Sequence, residues 1–434
     1  MPPNTDSRTA RQELPARSLP VPLRRFMQTE AAGGIVLVAA AFVAFVWANS
    51  PWRDSYETLW HTTVMLRIGS HGVEDDLRHL VNDGLMALFF VVVALEIKRE
   101  VITGELRDPR VAALPAIAAV GGMVVPAAIY LAVNGSGDGT DGWGIPVATD
   151  IAFAVGVLAL LGSRVPSGLK VFLLSLAIVD DIGAIAVIAV FYTDTLDLAA
   201  LGLAAATIAA VAALRWARVW WPPVFVVLGI VCWLATYNSG IHPTLAGVAF
   251  GLLAPARPLA PAEVARRWAD DLSDEPSARE LREMTTIANA TVSVAERVQH
   301  VLHPITSFMV VPIFALANAG VHVTSDALAA PGARSVAAGV ALGLLAGKTV
   351  GITGASALAV RLGVAKLPDT VTWAHLVGAA TTAAIGFTVS LFIAGLAFDR
   401  PDLQDAARLA TLATSVVAAG LGIVILRWAS RTRD

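Results

Sequence analysis

Leu173-Leu-Ser-Leu-Ala-Ile-Val-Asp-Asp-Ile-Gly-Ala-Ile-Ala-Val-Ile-Ala-Val190 is an apolar run long enough to span a bilayer, with Asp180 and Asp181 at its middle. An ionised carboxyl at the centre of a spanning helix costs on the order of 3 kcal/mol on insertion scales, so such groups face a partner, a cavity or an ion path. Successive helical residues point about 100° apart. One carboxylate of the pair is therefore free to face a central cavity while its neighbour faces an adjoining helix, and the two are expected to do different jobs.

The rest of the chain agrees with a membrane setting. Of its 434 residues, 56% are hydrophobic and 15% charged, against roughly 25% charged in soluble domains. The composition predicts an all-α polytopic membrane protein. A net charge of −3 offers no basic patch for nucleic acid. Cys232 is the sole cysteine, which excludes an intrachain disulfide and a thiolate metal site. Residues 1–30 are polar and Arg-bearing with no apolar segment before Ala31, which argues against a cleaved signal peptide and suggests a cytoplasmic tail.

Apolar runs of spanning length fall at 31–49, 83–97, 111–133, 143–161, 168–192, 197–214, 222–237, 241–254, 302–321, 335–358, 372–398 and 406–427. Lys and Arg accumulate on the cytoplasmic side of membrane proteins. With the N-terminus inside, twelve spans put 24 of the 31 Lys and Arg in inside loops and 6 in outside loops, Lys348 being the remaining one. A wrong number of spans would scramble that bias, so both termini, the second being the tail 429–434, are expected in the cytoplasm. Two connections are long. Residues 50–82 have β-branched and aromatic pieces around Gly69 and Gly72 that suit an external hairpin, a short surface helix or a plain loop. Residues 255–300, rich in both charge signs, suit a cytoplasmic linker with no soluble enzyme domain. Residues 31–428 thus form a single transmembrane domain.

The third to fifth spans run opposite in sense to the tenth to twelfth, and the middle span of each triplet is interrupted. Gly142, Gly144 and Pro146 precede Thr149-Asp150 in one, and Gly378, Thr381, Thr382, Gly386 and Thr388 punctuate the other. Broken helices at corresponding places in inverted repeats point to a transporter's binding site. The intramembrane ionisable groups are Asp83, Glu96, Asp150, Asp180, Asp181 and Lys348. Asp150 with the hydroxyl of Thr149 supplies oxygens for a hard cation, and equally a helix N-cap. Lys348 lies too deep to snorkel, so a carboxylate or helix C-terminal carbonyls should pair with it. Glu96 to Glu100 read as a charged helix end. His300 and His303, one turn apart, suit a pH-responsive cluster better than a metal site, for want of a third ligand. His242 reads as structural. Gly135-Ser-Gly-Asp138 fits the short pattern of intramembrane aspartyl proteases, but turn chemistry in an external loop explains every residue of it. No phosphate loop or redox motif is present, and no catalytic residue or cofactor is expected. An ion-coupled transporter or a cation channel remain as classes.

Several motifs in the right order resemble the bacterial NhaA family of Na⁺/H⁺ antiporters. They are Val81-Asn-Asp-Gly-Leu-Met-Ala, Leu95-Glu-Ile-Lys-Arg-Glu100, Ala148-Thr-Asp-Ile-Ala-Phe, Ala177-Ile-Val-Asp-Asp-Ile-Gly, Ser239-Gly-Ile-His-Pro-Thr-Leu-Ala-Gly, Phe314-Ala-Leu-Ala-Asn-Ala-Gly, Gly347-Lys-Thr and Ile385-Gly-Phe-Thr-Val-Ser. The resemblance runs from about Ala31 to the end of the twelfth span. It implies a fold of twelve helices with inverted repeats and two interrupted helices crossing near the bilayer midplane. It further implies Asp180 and Asp181 as the carboxylates that bind transported Na⁺, Li⁺ or H⁺, with Asp150, Thr149 and Lys348 at the crossing. By the same resemblance Glu96, Arg99, Glu100, His300 and His303 belong to a cytoplasmic pH-activation cluster, the chain is a homodimer through its external hairpin, and it resides in the bacterial inner membrane, in contact with lipid. One departure stands out: the family often carries Glu-His where this chain has Gln299-His300.

Overall fold

The computed structural model describes residues 30–431, apart from 69–70, 194–195, 218, 220, 259, 271–276 and 324–329. Expectations for residues 1–29 and 432–434 lie outside the described residues. The chain is a helical bundle with one small β-ribbon. Helix α1 (Glu30–Ala48) turns through 116° into the short α2 (Arg53–Trp60). An antiparallel ribbon follows, β1 (Thr63–Ile68) against β2 (His71–Asp76), with Thr63 opposite Asp76. The segment expected to be a hairpin, a surface helix or a loop thus holds both a helix and a hairpin.

Four long elements come next: α3 (Leu77–Ile102), α4 (Pro109–Asn134), a 3₁₀ segment (Thr140–Val147) leading into α5 (Ile151–Leu161), and α6 (Ser167–Phe191). Asp108 caps α4, its carboxylate accepting from the Arg110 N–H with Pro109 at the first helical position, where the missing N–H costs nothing. Beyond lie α7 (Leu198–Trp216), α8 (Pro222–Asn238) and α9 (Thr244–Leu253). The 255–300 segment contains α10 (Ala262–Asp270) and α11 (Ala278–Ala290) before α12 (Val294–Asn318) begins. The chain closes with α13 (Ala333–Arg361), the bent pair α14 (Trp373–Ala383) and α15 (Phe387–Ala397), and α16 (Pro401–Arg431).

Among the described residues, eight helices are long and apolar enough to cross a membrane, or ten if each bent pair counts as one span; α8 and α9 are shorter apolar helices. Interruption accounts for part of the difference from the expected twelve, because a span divided at its middle leaves two halves that each fall short. The outer faces carry apolar side chains in the open, such as Phe42, Val190 and Val226, each more than half exposed. A water-soluble surface would leave patches of that kind as liabilities, whereas lipid covers them. Exposed Trp216, Trp221 and Trp428 lie at helix ends, where indoles favour the membrane–water boundary.

Inside, small residues set the spacing. Helices α4 and α13 make the most extensive pairing in the chain. Gly121 and Gly351 face each other there: a Cβ on Gly351 would sit 2.2 Å from the Gly121 carbonyl oxygen. Close backbone approach through glycine replaces the hydrophobic drive that lipid removes. That contact brings Lys348, one turn before Gly351 on α13, in against the central helices.

Candidate functional site

Two backbone interruptions meet at the centre. Residues 148–150 are extended between the 3₁₀ segment and α5, and residues 384–386 separate α14 from α15, which are bent by 44°. A break frees N–H and C=O groups that lipid cannot satisfy. Here the two breaks satisfy each other. The Asp150 N–H donates to the Ile385 carbonyl (2.7 Å), the Thr149 hydroxyl to the Ala383 carbonyl (2.9 Å), and the Ser390 hydroxyl to the Ile145 carbonyl (2.7 Å).

Asp150 serves two helix N-termini with one carboxylate. Its Oδ1 accepts from the Phe153 N–H of α5 (3.0 Å). Its Oδ2 accepts from the Thr388 N–H (3.1 Å) and hydroxyl (2.8 Å) at the start of α15. A buried carboxyl group is thereby held by the positive ends of two helices. The N-cap reading of Asp150 is correct, and the carboxylate still lines the cavity described below. Thr388 is the residue that sequence reasoning missed. It was noted only as punctuation, and its role depends on the pairing of two segments more than two hundred residues apart.

Lys348 is the cationic counterpart. It is fully buried, forms an ion pair with Asp180 and donates to the Thr149 hydroxyl (2.5 Å). Since that hydroxyl donates to Ala383, the ammonium connects through Thr149 to the negative end of α14. Lys348 directly follows a π-helical turn, Gly343–Gly347, of the kind often found at functional positions. Asp180 is also fully buried; among the described residues its other oxygen, Oδ1, accepts no hydrogen bond of ordinary geometry, with Thr149 the polar neighbour of the carboxylate.

Asp181 points elsewhere. It lines a cavity of about 500 Å³ together with Thr149, Asp150 and Thr388. The walls reach Glu96, Arg99, Lys170 and His303, of which Arg99, Lys170 and His303 are exposed. Lys170 and Asp181 are eleven residues apart on α6, so the cavity lining runs about 16 Å along that helix at 1.5 Å per residue. The charges of Asp180, Glu96, Asp150 and Lys348 all act on Asp181. The neighbouring aspartates therefore divide their surroundings as 100° of helix rotation demands: one is locked to a lysine, the other borders open space.

This arrangement joins adjacent buried carboxylates, two helix breaks that hydrogen-bond to each other and a cavity lined by Asp181. The profile of the family described as Na⁺/H⁺ antiporter 1 matches residues 24–426. The chain belongs to the Na⁺/H⁺ antiporter 1 family. Relatives span nearly its whole length. The Na⁺/H⁺ antiporter NhaA 3 of Frankia alni is 51% identical over 93% of this chain and 88% of its own. The Na⁺/H⁺ antiporter NhaA 2 of Sorangium cellulosum is 46% identical over 97% and 93%, and the Na⁺/H⁺ antiporter NhaA of Rhodopirellula baltica 46% identical over 94% and 94%.

The five residues expected as a pH cluster in this antiporter-family chain do not share one environment. Glu96, Arg99 and His303 line the cavity, where Gln299 Nε2 donates to Glu96 Oε1 (3.0 Å). Glu100 is buried under the following turn and accepts from the Glu105 N–H (2.8 Å), facing a separate pocket. His300 is exposed and does not line the cavity. Asp83 lies in another π-helical turn, Val81–Leu85, with His242 Nε2 3.6 Å from its carboxylate. Asp138 of the protease-like pattern is paired with Arg400 (2.6 Å) in an exposed loop.

Proposed function

We propose that the chain exchanges Na⁺, or Li⁺ in its place, for H⁺ across a bacterial inner membrane, through twelve spans with both termini in the cytoplasm. The observation that carries this reading is the pair of unlike aspartates, Asp181 open to a cavity and Asp180 held by Lys348. A hard cation takes oxygen ligands, and Asp181, with Asp150 and Thr149 nearby, supplies them. Protons compete for the same oxygens. Na⁺ entering from the side of Arg99 and His303 displaces a proton from Asp181, the two inverted repeats rock about the crossing, and protons on the far side displace Na⁺.

Lys348 adds a second exchangeable proton: when Na⁺ draws the Asp180 carboxylate away, the ammonium loses its counter-ion and releases a proton, which it takes back when Na⁺ leaves and the pair re-forms. More than one proton then moves per cation, and net positive charge moves inward, driven by an inside-negative potential. The position of Glu96, Arg99 and His303 along the cavity supports the reading that they regulate entry of the ion with pH, with Glu100 and His300 as outer members. Among the described residues the β1–β2 ribbon has an unpaired edge on each strand, which suits pairing with a second copy in a homodimer.

The test is fluorescence of a ΔpH-reporting dye in inside-out vesicles from an antiporter-deficient strain, as NaCl is added. Wild type should reverse the quench and Asp181→Asn should not. Absence of recovery in wild type across pH 6.5 to 9, with the protein present in the membrane, would refute antiport.

A further inference from the structure

Away from the cavity, at the opposite end of α3, the described residues bring a second set of metal-type donors together. Asp75, Asp76 and His79 each offer one ligand atom, and these atoms lie within 4.8 Å of one another. We propose that Asp75, Asp76 and His79, joined by His61, form a binding site for a divalent transition-metal cation of the Zn²⁺ type.

The donor set and the spacing both support this. Zn²⁺ takes imidazole nitrogens and carboxylate oxygens at about 2.0–2.2 Å, which sets tetrahedral neighbours about 3.4 Å apart. His79 Nδ1 lies 3.4 Å from Asp75 Oδ1 and 2.8 Å from Asp76 Oδ1. His61 Nδ1 approaches Asp76 from its other oxygen, at 3.0 Å from Oδ2. Asp75, Asp76 and His79 already present three donors within 4.8 Å of one another, and His61 would join them through its contact with Asp76. Both imidazoles are more than half exposed, so an ion reaches them from solvent without any opening of the bundle.

Outer partners already orient these ligands, as they do in metal sites. The Tyr237 hydroxyl donates to Asp75 Oδ2 (2.9 Å), leaving Oδ1 toward His79. The His79 N–H donates to Asp76 Oδ1 (2.8 Å) and fixes that carboxylate at the start of α3. Glu57 Oε2 lies 3.3 Å from His61 Nε2, on the side of the ring away from Asp76, which is the carboxylate–histidine–metal order. Burial works against ionisation of Asp76, but hydrogen bonds from the His79 backbone and ring outweigh it and hold the carboxyl below its ordinary value.

Two imidazoles paired with these carboxylates would give the same geometry without a metal, and direct titration with the metal separates the two readings. A bound cation would tie the end of α2 (His61), the end of β2 (Asp75 and Asp76) and the start of α3 (His79) into one unit, and through Tyr237 would reach α8. The base of the ribbon would then be clamped to the bundle.

Purified, tag-free protein in detergent at pH 7.5 would be titrated with Zn²⁺ by calorimetry and with Co²⁺ by visible absorption. One saturable site per chain is expected. His79→Gln and Asp75→Asn should each weaken it roughly tenfold or more, since even outer-shell changes reach that scale. Asp181→Asn should bind as wild type does, which separates this site from the central carboxylates. Retained vesicle exchange in His79→Gln would show that the variant is folded. Absence of saturable binding, binding unchanged in the His79→Gln and Asp75→Asn variants, or binding lost in Asp181→Asn would overturn the proposal.

Discussion

Replacement of Lys348 by alanine should show how the central charges hold each other. Lys348 and Asp180 are both fully buried, and Thr149 lies beside both charges. Lys348→Ala therefore leaves a buried carboxylate without its counter-ion. Removing one partner of a buried pair costs about 3–5 kcal/mol, because the other charge stays behind. Even the lower figure is a factor of more than about 100 in the folded ratio, at 1.36 kcal/mol per decade. Asp180→Asn alone leaves the ammonium, which still has Thr149 and, through it, the end of α14; its loss should fall at the lower end. The double variant Lys348→Ala/Asp180→Asn removes both charges and should recover much of the loss. Thermal unfolding in detergent, followed by tryptophan fluorescence for all four proteins, gives the cycle. A coupling of about 2 kcal/mol or more is expected, within the range of coupled contacts. A double variant as unstable as the sum of the single ones would refute the ion pair as the reason for burying Lys348.

Thr388→Val should keep the backbone N–H on Asp150 and lose the hydroxyl at 2.8 Å. A hydrogen bond to a charged group is worth about 1.5–3 kcal/mol, so a lower unfolding midpoint and a raised apparent KM for Na⁺ in vesicles are expected; unchanged values for both would show that the hydroxyl is idle. Gly351→Val should fail by overpacking, since even its Cβ would meet the Gly121 carbonyl at 2.2 Å. Separating α4 and α13 should shift Lys348 away from Asp180. Loss of the monodisperse protein peak, or of exchange, is the expected outcome, and a fully active variant would show that the helix contact is looser than the structure has it.

Sequence alone carried the membrane class, the helical character and the unlike surroundings of Asp180 and Asp181 in mid-helix, because these rest on local properties. An apolar run with two carboxylates has one physical context, and a helix turn of 100° already divides the two side chains. Asp150, Thr149 and Lys348 were legible as candidates for the same reason: charge or a break inside an apolar segment is costly wherever the segment goes. Which groups would bear that cost together was not legible. The bond of Thr388 to Asp150, the relay from Lys348 through Thr149 to Ala383, and the separation of Glu100 and His300 from the cavity all depend on segments far apart in the chain. The sequence names groups that need partners; only packing, set by contacts such as Gly121 on Gly351, decides which partners come within hydrogen-bond reach.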